Sequence, residues 1–350
     1  MAKAGGSRRK RALESVMELD RFEWLAGRVE EAVDPHRVIV DPHHHLWDRR
    51  SSKYGAQELV ADTRGSHNVT HTVFVECNSK WNRDDPPAMQ PVGETSYVVA
   101  QAAEVEAVGG TTIGGIVSHA DMMLGDAVEE VLAAHDAEGA GLFRGIRHAV
   151  SWDGHPDMPI GHSNPTERMM ASPEFHAGVA KLGDMGFSYD AWMYHPQLPD
   201  LVDLARATPQ TSIILDHLGG PMGIGPYAED RDAAMATWRA SMTELAACPN
   251  ITLKVGGIGM DNYFGLGWSD QPVPPSSDDV VATWQDRVHF CIDTFGPDRC
   301  MFESNFPVDR QALTYPVLWN ALQKMATRYS DEEQDQMFSG TATRVYKLSR

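Results

Sequence analysis

Eight apolar, strand-like runs separated by helix-like segments constrain this chain more than any other feature of its sequence. The runs are "RVIVDPHHH", "HTVFVEC", "TTIGGIVSHAD", "LFRGIRHAV", "FSYDAWMYH", "TSIILDHLGG", "NITLKVGGIG" and "RCMFESNFP". Between most of them lie segments of helical pattern, at 94–109, 126–138, 173–185, 199–208, 232–248 and 279–295. Strand, helix and strand in repeated order give parallel pairing through right-handed crossovers. Eight such units are what a closed (β/α)8 barrel requires, and such barrels carry their chemistry at the C-terminal ends of the strands. A doubly wound sheet would bring a Gly-rich phosphate loop after an early strand, but the sequence has neither GxGxxG nor a Walker signature. The expected architecture is a (β/α)8 TIM barrel over residues 38–350, preceded by an extension at 1–37. Residues 11–33, rich in Leu, Glu, Arg and Ala, predict a helix that packs on the barrel or on a partner subunit of a homo-oligomer.

The strand ends carry the candidate chemistry. In an extended strand successive side chains face opposite sides, so His43 and His45 share a face while His44 points away. A histidine pair at this spacing brings two ring nitrogens toward one ion. The later strand ends add Glu76, His119, Arg147 with His148, His195, His217, and Glu303 with Asn305. Singly, His119 and His148 read as surface or capped core residues, but a barrel gathers the whole set into one ring.

Charge and composition exclude several roles. A net charge of −19 argues against nucleic acid or an anionic membrane as a main partner. No apolar run approaches membrane-spanning length. The basic block near the start is followed by charged, helix-like sequence rather than the apolar core of a secretory signal. Cys77, Cys248, Cys291 and Cys300 form no CxxC pair, which points to reduced thiols and a cytoplasmic setting.

The stretches "DPHHHLWD", "FRGIRH", "YHPQLPDL", "LDHLGGP" and "MFESNFPVD" together resemble the amidohydrolase superfamily. The resemblance is to the amidohydrolase-2 branch, which includes sugar lactonases, pyrone-dicarboxylate lactonase and non-oxidative decarboxylases. It implies a metal-assisted barrel enzyme, with His43 and His45 matching the strand-one ligands, His195 the strand-five ligand and His217 the strand-six histidine. Many relatives read G-S-D-W-P in strand eight, with an aspartate that binds metal or handles a proton. Here "ESNFP" puts Asn305 at that position, and an amide cannot act as a general base. Glu303 shares Asn305's strand face and supplies a carboxylate there, and Glu76 supplies another.

Four histidines and two carboxylates suit one ion with a glutamate base, or two bridged ions, of zinc, manganese or iron. In the hydrolytic reading, metal-activated water attacks a lactone or related ester, with Glu303, Glu76 and His217 as catalytic groups. Arg147 then anchors or polarises a substrate oxygen, with Asn305 beside it. The alternatives are a di-iron oxygenase and a barrel that binds a ligand without turnover. Loops after strands two, four and seven carry Trp81, Trp152, Tyr263, Phe264 and Trp268, which suits a partly apolar small-molecule substrate. The Gly- and Pro-punctuated segment 263–279 reads either as a lid or as an inert surface loop.

Overall fold

The computed structural model describes residues 21–49 and 52–349. Its eight barrel strands are β1 (Val38–His44), β2 (Asn68–Val75), β3 (Thr112–Ser118), β4 (Phe143–Arg147), β5 (Ser188–Ala191), β6 (Ile213–Leu215), β7 (Ile251–Val255) and β8 (Cys300–Phe302). They pair in sequence order and every pairing is parallel. The ring closes past the end of β8, where Asn305 N–H donates to the His43 carbonyl at 2.9 Å and His45 N–H to the Phe306 carbonyl at 2.7 Å. The chain is therefore the expected (β/α)8 barrel.

The helices lie where the 3.6-residue pattern puts them. Val92–Ala107, Val128–Glu138, Pro173–Asp184, Leu198–Ala207, Arg231–Ala246 and Ser277–Phe295 each bury one face against the strands. Several start on a side-chain cap, as where Ser172 accepts from Phe175 N–H and Ser276 from Asp279 N–H. Sequence patterning did not anticipate a small hairpin (Trp47–Arg49 with Ser52–Tyr54) or the apolar helix Tyr315–Ala326.

The inner faces of the strands fill the barrel with Val40, Val73, Val75, Val117, Ile214 and Met301. Tyr346 and Leu348, from the end of the chain, pack into this same cluster, and the Tyr346 hydroxyl reaches up to Asp190 Oδ2 at 2.6 Å. At one place two strands touch too closely for any side chain. A Cβ on Gly145 of β4 would lie 2.2 Å from Ser188 Oγ on β5, which explains the glycine in "FRGIR".

The helix expected over 11–33 takes another form within the described residues. A single turn, Phe22–Leu25, is followed by irregular chain to residue 37; residues 11–20 lie outside the described residues. Tertiary hydrogen bonds replace helical ones there. Asn320 and Gln323 side chains accept from the backbone N–H groups of Val33 and Asp34, and Asn320 donates to the Glu31 carbonyl.

Behind the barrel wall a buried network supports the β3 end. Thr95 Oγ1 lies 2.7 Å from Ser118 Oγ and 2.8 Å from His135 Nδ1, while His135 Nε2 donates to the His119 carbonyl at 2.9 Å. Burial pushes the His135 imidazole down to about 4, so it is neutral in the folded protein at physiological pH. The unfolded chain binds this proton near pH 6.5 and the folded chain only near pH 4, so the histidine's contribution is complete above 6.5 and is lost as pH falls through that window. Urea unfolding at pH 8 and pH 5 should show this. His135→Gln should reduce the acid-induced loss of stability by about 2 kcal/mol at pH 5. An unchanged difference between the two pH values would mean that the residue does not control acid stability.

Candidate active site

Buried charges occupy the middle of the barrel mouth. Lys254, on β7, places Nζ 2.7 Å from Asp190 Oδ2 and 3.1 Å from Asp216 Oδ1, and all three side chains are fully buried. Arg147 donates from Nε to Glu76 Oε1 at 2.8 Å and from Nη1 to Asp216 Oδ2 at 3.4 Å, and Nη2 meets the Glu76 carbonyl. Burial opposes ionisation at each carboxyl, and the neighbouring donors and cations decide the outcome. His162 and Arg147 hold Glu76 well below the usual carboxylate range, and Lys254 and His43 do the same for Asp216. Burial prevails over Lys254 at Asp190, which is pushed up to about 6.

Above this layer three imidazoles meet. The His43 ring lies 4.9 Å from that of His45 and 4.5 Å from that of His217. His44 points away as strand alternation requires, packing edge-on against Phe74. His43 sits between two cations, with Lys254 Nζ 3.2 Å from Nδ1 and Arg147 Nη1 3.3 Å from Nε2. Burial and Lys254 depress its pKa, so it stays neutral.

Glu303 bridges two of these rings. Its Oε1 is 2.7 Å from His217 Nδ1 and also accepts the His217 backbone N–H at 3.1 Å; its Oε2 is 2.9 Å from His43 Nδ1. Burial raises this carboxyl, but His217 and His43 outweigh burial and hold it at about 2. Because Glu303 is ionised, His217 Nδ1 is the donor and its Nε2 carries the lone pair. The backbone is shaped for this contact. His217 and Leu218 take φ of +52° and +55°, uncommon for residues with side chains. A Cβ on Gly256 would lie 2.4 Å from Glu303 Cγ, so only glycine leaves room for that carboxylate.

A cavity of about 220 Å³ opens over this group. His45, Arg147, His162, His217 and Asn305 form its polar wall; Ile160, Trp192, Met260 and Tyr263 are on its apolar wall. His162 reaches Glu76 from the rim, with Nε2 2.9 and 3.0 Å from the two carboxylate oxygens.

The structure sorts the expected site residues. His43, His217 and Glu303 come together, with ligand atoms all within 4.8 Å of one another. His45, Arg147 and Asn305 line the cavity beside them. Glu76 is committed to Arg147 and His162 and stands outside the ligand group. His195 is also outside it. β5 ends at Ala191, so the inward positions are Asp190 and Trp192, while His195 falls in the next turn against Tyr227, with Nδ1 accepting Met222 N–H. Arg147 is an internal ion-pair partner more than an open fork for substrate. Trp81 lines an adjoining cavity, and Trp152 lines neither. Asp190, Asp216, Lys254 and Trp192 were missed. The available signal was a charged residue within the otherwise apolar runs "FSYDAW" and "NITLKV".

The donors fit a divalent ion. Two imidazoles and a carboxylate are a zinc-type set. Glu303 Oε2 and Asp216 Oδ1 are buried without an aligned hydrogen-bond donor. His45 gives Nδ1–H to the Val75 carbonyl at 2.8 Å, which puts the lone pair on Nε2, 3.3 Å from Asn305 Oδ1; a ring oriented by its other N–H is usual for a metal-binding histidine.

Comparison with known proteins agrees. The family model described as Amidohydrolase matches residues 40–348. The chain is 28% identical over 333 residues to uncharacterized protein y4mH of Sinorhizobium fredii, covering 89% of this chain and 99% of that protein. It is 26% identical over 324 residues to an L-fucono-1,5-lactonase of Burkholderia multivorans, covering 88% and 96%. Among solved structures, a zinc-bound amidohydrolase from Burkholderia multivorans shares the fold at a TM-score of 0.69 with 24% identity, covering 89% of this chain and 100% of that one. Amidohydrolase 2 from Bifidobacterium longum subsp. infantis matches at 0.55 with 20% identity, covering 89% and 99%. With a barrel, a strand-end histidine cluster and a family match over nearly its whole length, the chain belongs to the amidohydrolase family.

Proposed function

We propose that the protein is a metal-assisted hydrolase that opens a lactone or a closely related ester. The observation that carries this reading is the His217–Glu303 couple beneath the cavity, a base held by a buried carboxylate at 2.7 Å. Glu303 fixes the tautomer, so the lone pair of His217 Nε2 takes a proton from water as the oxygen forms its bond to the carbonyl carbon. The carboxylate then stabilises the imidazolium. When the ring C–O bond breaks, His217 returns the proton to the departing alkoxide, giving a hydroxy acid.

A cation held by His43 and Glu303 with His45 alongside, leaving His217 Nε2 free as the base, would supply Lewis-acid charge for the carbonyl oxygen. Arg147, fixed by Glu76 and Asp216, adds a positive charge to the same wall. In this reading Glu303 does the work that relatives give to a strand-eight aspartate, while Asn305 orients.

The cavity is small beside ordinary ligand pockets of roughly 300–1,000 Å³, which suits a single ring. Trp192, Met260 and Tyr263 make the ligand partly apolar. The lactonase relative supports this substrate class. An oxygenase with two ions needs more ligands than the three that group together among the described residues. Four buried free cysteines suit a reducing compartment such as the cytoplasm, and no described helix is long and apolar enough to cross a membrane.

Acid release from a panel of sugar and aromatic lactones tests the reaction. Glu303→Gln should lower kcat at least about 100-fold with little change in melting temperature, and Asn305→Asp should not be needed for activity. A fully active Glu303→Gln, or a metal-loaded protein that opens no lactone or ester, would overturn the proposal.

Metal content provides a second, independent check. His43→Ala should strip bound metal, while His44→Ala and His195→Ala should retain it. Loss from His195→Ala equal to that from His43→Ala would place the ion elsewhere.

A further inference from the structure

A second cavity of about 550 Å³ lies beside the first and shares Asn78 and His162 with it. The proposed hydrolysis uses none of its other groups. Two buried histidines on its wall, His119 and His148, have ring centroids 5.1 Å apart at 74°.

Backbone hydrogen bonds set their tautomers in opposite senses. His119 Nδ1 is 3.1 Å from the Arg147 carbonyl, which can only accept, so Nδ1 carries the proton and Nε2 is bare. His148 Nδ1 accepts the Met122 N–H at 3.1 Å, so its proton is on Nε2. Among the described residues the hydrogen bonds of both rings are made through Nδ1. Burial lowers both pKa values, and the pair is neutral.

The rings are also held in place. Trp81 stacks on His119 at 5.2 Å, with the Arg83 guanidinium 5.0 Å from the indole, and His135 holds the His119 carbonyl. Such support fixes a binding group before its ligand arrives.

We infer that this second cavity binds a neutral hydroxyl-bearing group, one end of a polyol or an edge of a sugar ring, through a hydroxyl that donates to His119 Nε2 and accepts from His148 Nε2–H. A hydroxyl is the small group that offers one donor and an acceptor lone pair at a single oxygen. Two hydrogen bonds of about 2.8 Å to one oxygen reach nitrogens up to about 5.6 Å apart, a span that ring centroids 5.1 Å apart allow. A carboxylate brings an acceptor against the bare nitrogen of His119, and an ammonium brings a donor against the N–H of His148, so each mismatches half of the pair. Asp121 and Arg83, one acid and one base on the cavity wall, leave its net charge near zero. Sharing His162 and Asn78, the pocket holds the part of the substrate that extends beyond the ester. That last assignment rests on the hydrolase reading, but hydroxyl binding does not.

The test measures binding directly, apart from turnover. Glycerol, xylitol, glucitol and methyl glucoside are titrated into the full-length protein and followed by ligand-observed NMR. At least one should bind in the millimolar range. His119→Phe and His148→Phe should each weaken it at least tenfold, whereas Glu303→Gln, which disables the proposed reaction, should not. Glucarate should bind at least tenfold more weakly than glucitol. Long-range ¹H–¹⁵N spectra should place the proton on Nδ1 of His119 and Nε2 of His148. No binding up to about 100 mM, binding that survives both Phe variants, or the same tautomer in both rings would overturn the inference. Failure of lactone turnover with these results intact would refute only the proposed function.

Discussion

The contact on which the site depends is Lys254 between Asp190 and Asp216, sealed inside the barrel. An ammonium in such a place is not a source of net stability, because desolvating it costs about what its partners return. It fixes position. Asp216 is shared with Arg147, Arg147 with Glu76, and Glu76 with His162 at the rim, so one chain of ion pairs runs from the barrel centre to the cavity mouth. Tyr346 closes the chain from below through Asp190. Four carboxyl groups, counting Glu303, face two permanent cations, and with Asp190 raised to about 6 the imbalance is still negative near neutrality. That residual charge draws either protons onto the histidines or a metal ion into the group, and it accounts for a ligand cluster placed against Lys254.

The strand-eight departure makes sense within the same field. A carboxylate at 303 rather than 305 sits deeper, where it meets His43 and His217 together. The space comes from just past the end of β7, where Lys254 and Val255 are followed by two glycines. The first lies against Glu303, and the second, at φ +63°, passes so close to His217 that a Cβ would come within 2.4 Å of its Nδ1. Glu303, Gly256 and Gly257 are thus one steric unit, and neither glycine tolerates a side chain while the glutamate bridges two imidazoles.

Much of this was legible in the sequence. Period-2 alternation separated His44 from its neighbours, and the repeated strand and helix order gave the barrel and the helix positions within a few residues. What alternation could not settle depended on where a strand stops. His195 sits four residues beyond the end of β5, so its side is set by a turn and not by alternation, and Trp192 holds the inward position. Arg147 was read as an open donor fork because its partners, Glu76 and Asp216, come from other strands and no local pattern announces them. Lys254 and Asp190 were visible as charges in apolar runs, a combination that is costly unless each finds the other.

The extension before the barrel, illegible by composition, bears on the cavity through the loop after β7. Arg21 donates to the Ser269 carbonyl, Trp24 Nε1 to that of Gln271 and Arg28 to that of Pro274, while Glu30 accepts Ser277 N–H. Four side chains from one short segment therefore hold 269–277 along its length. A lid must give up its contacts when it opens, and this loop would have to release all four. Asp261 adds an internal clamp, accepting the N–H groups of Gly267 and Ser269. The same loop carries Met260 and Tyr263 in the cavity wall, so the strap fixes part of the cavity's apolar side. The segment 263–279 is better described as a braced wall, and the second cavity adjoins the first elsewhere, at Asn78 and His162.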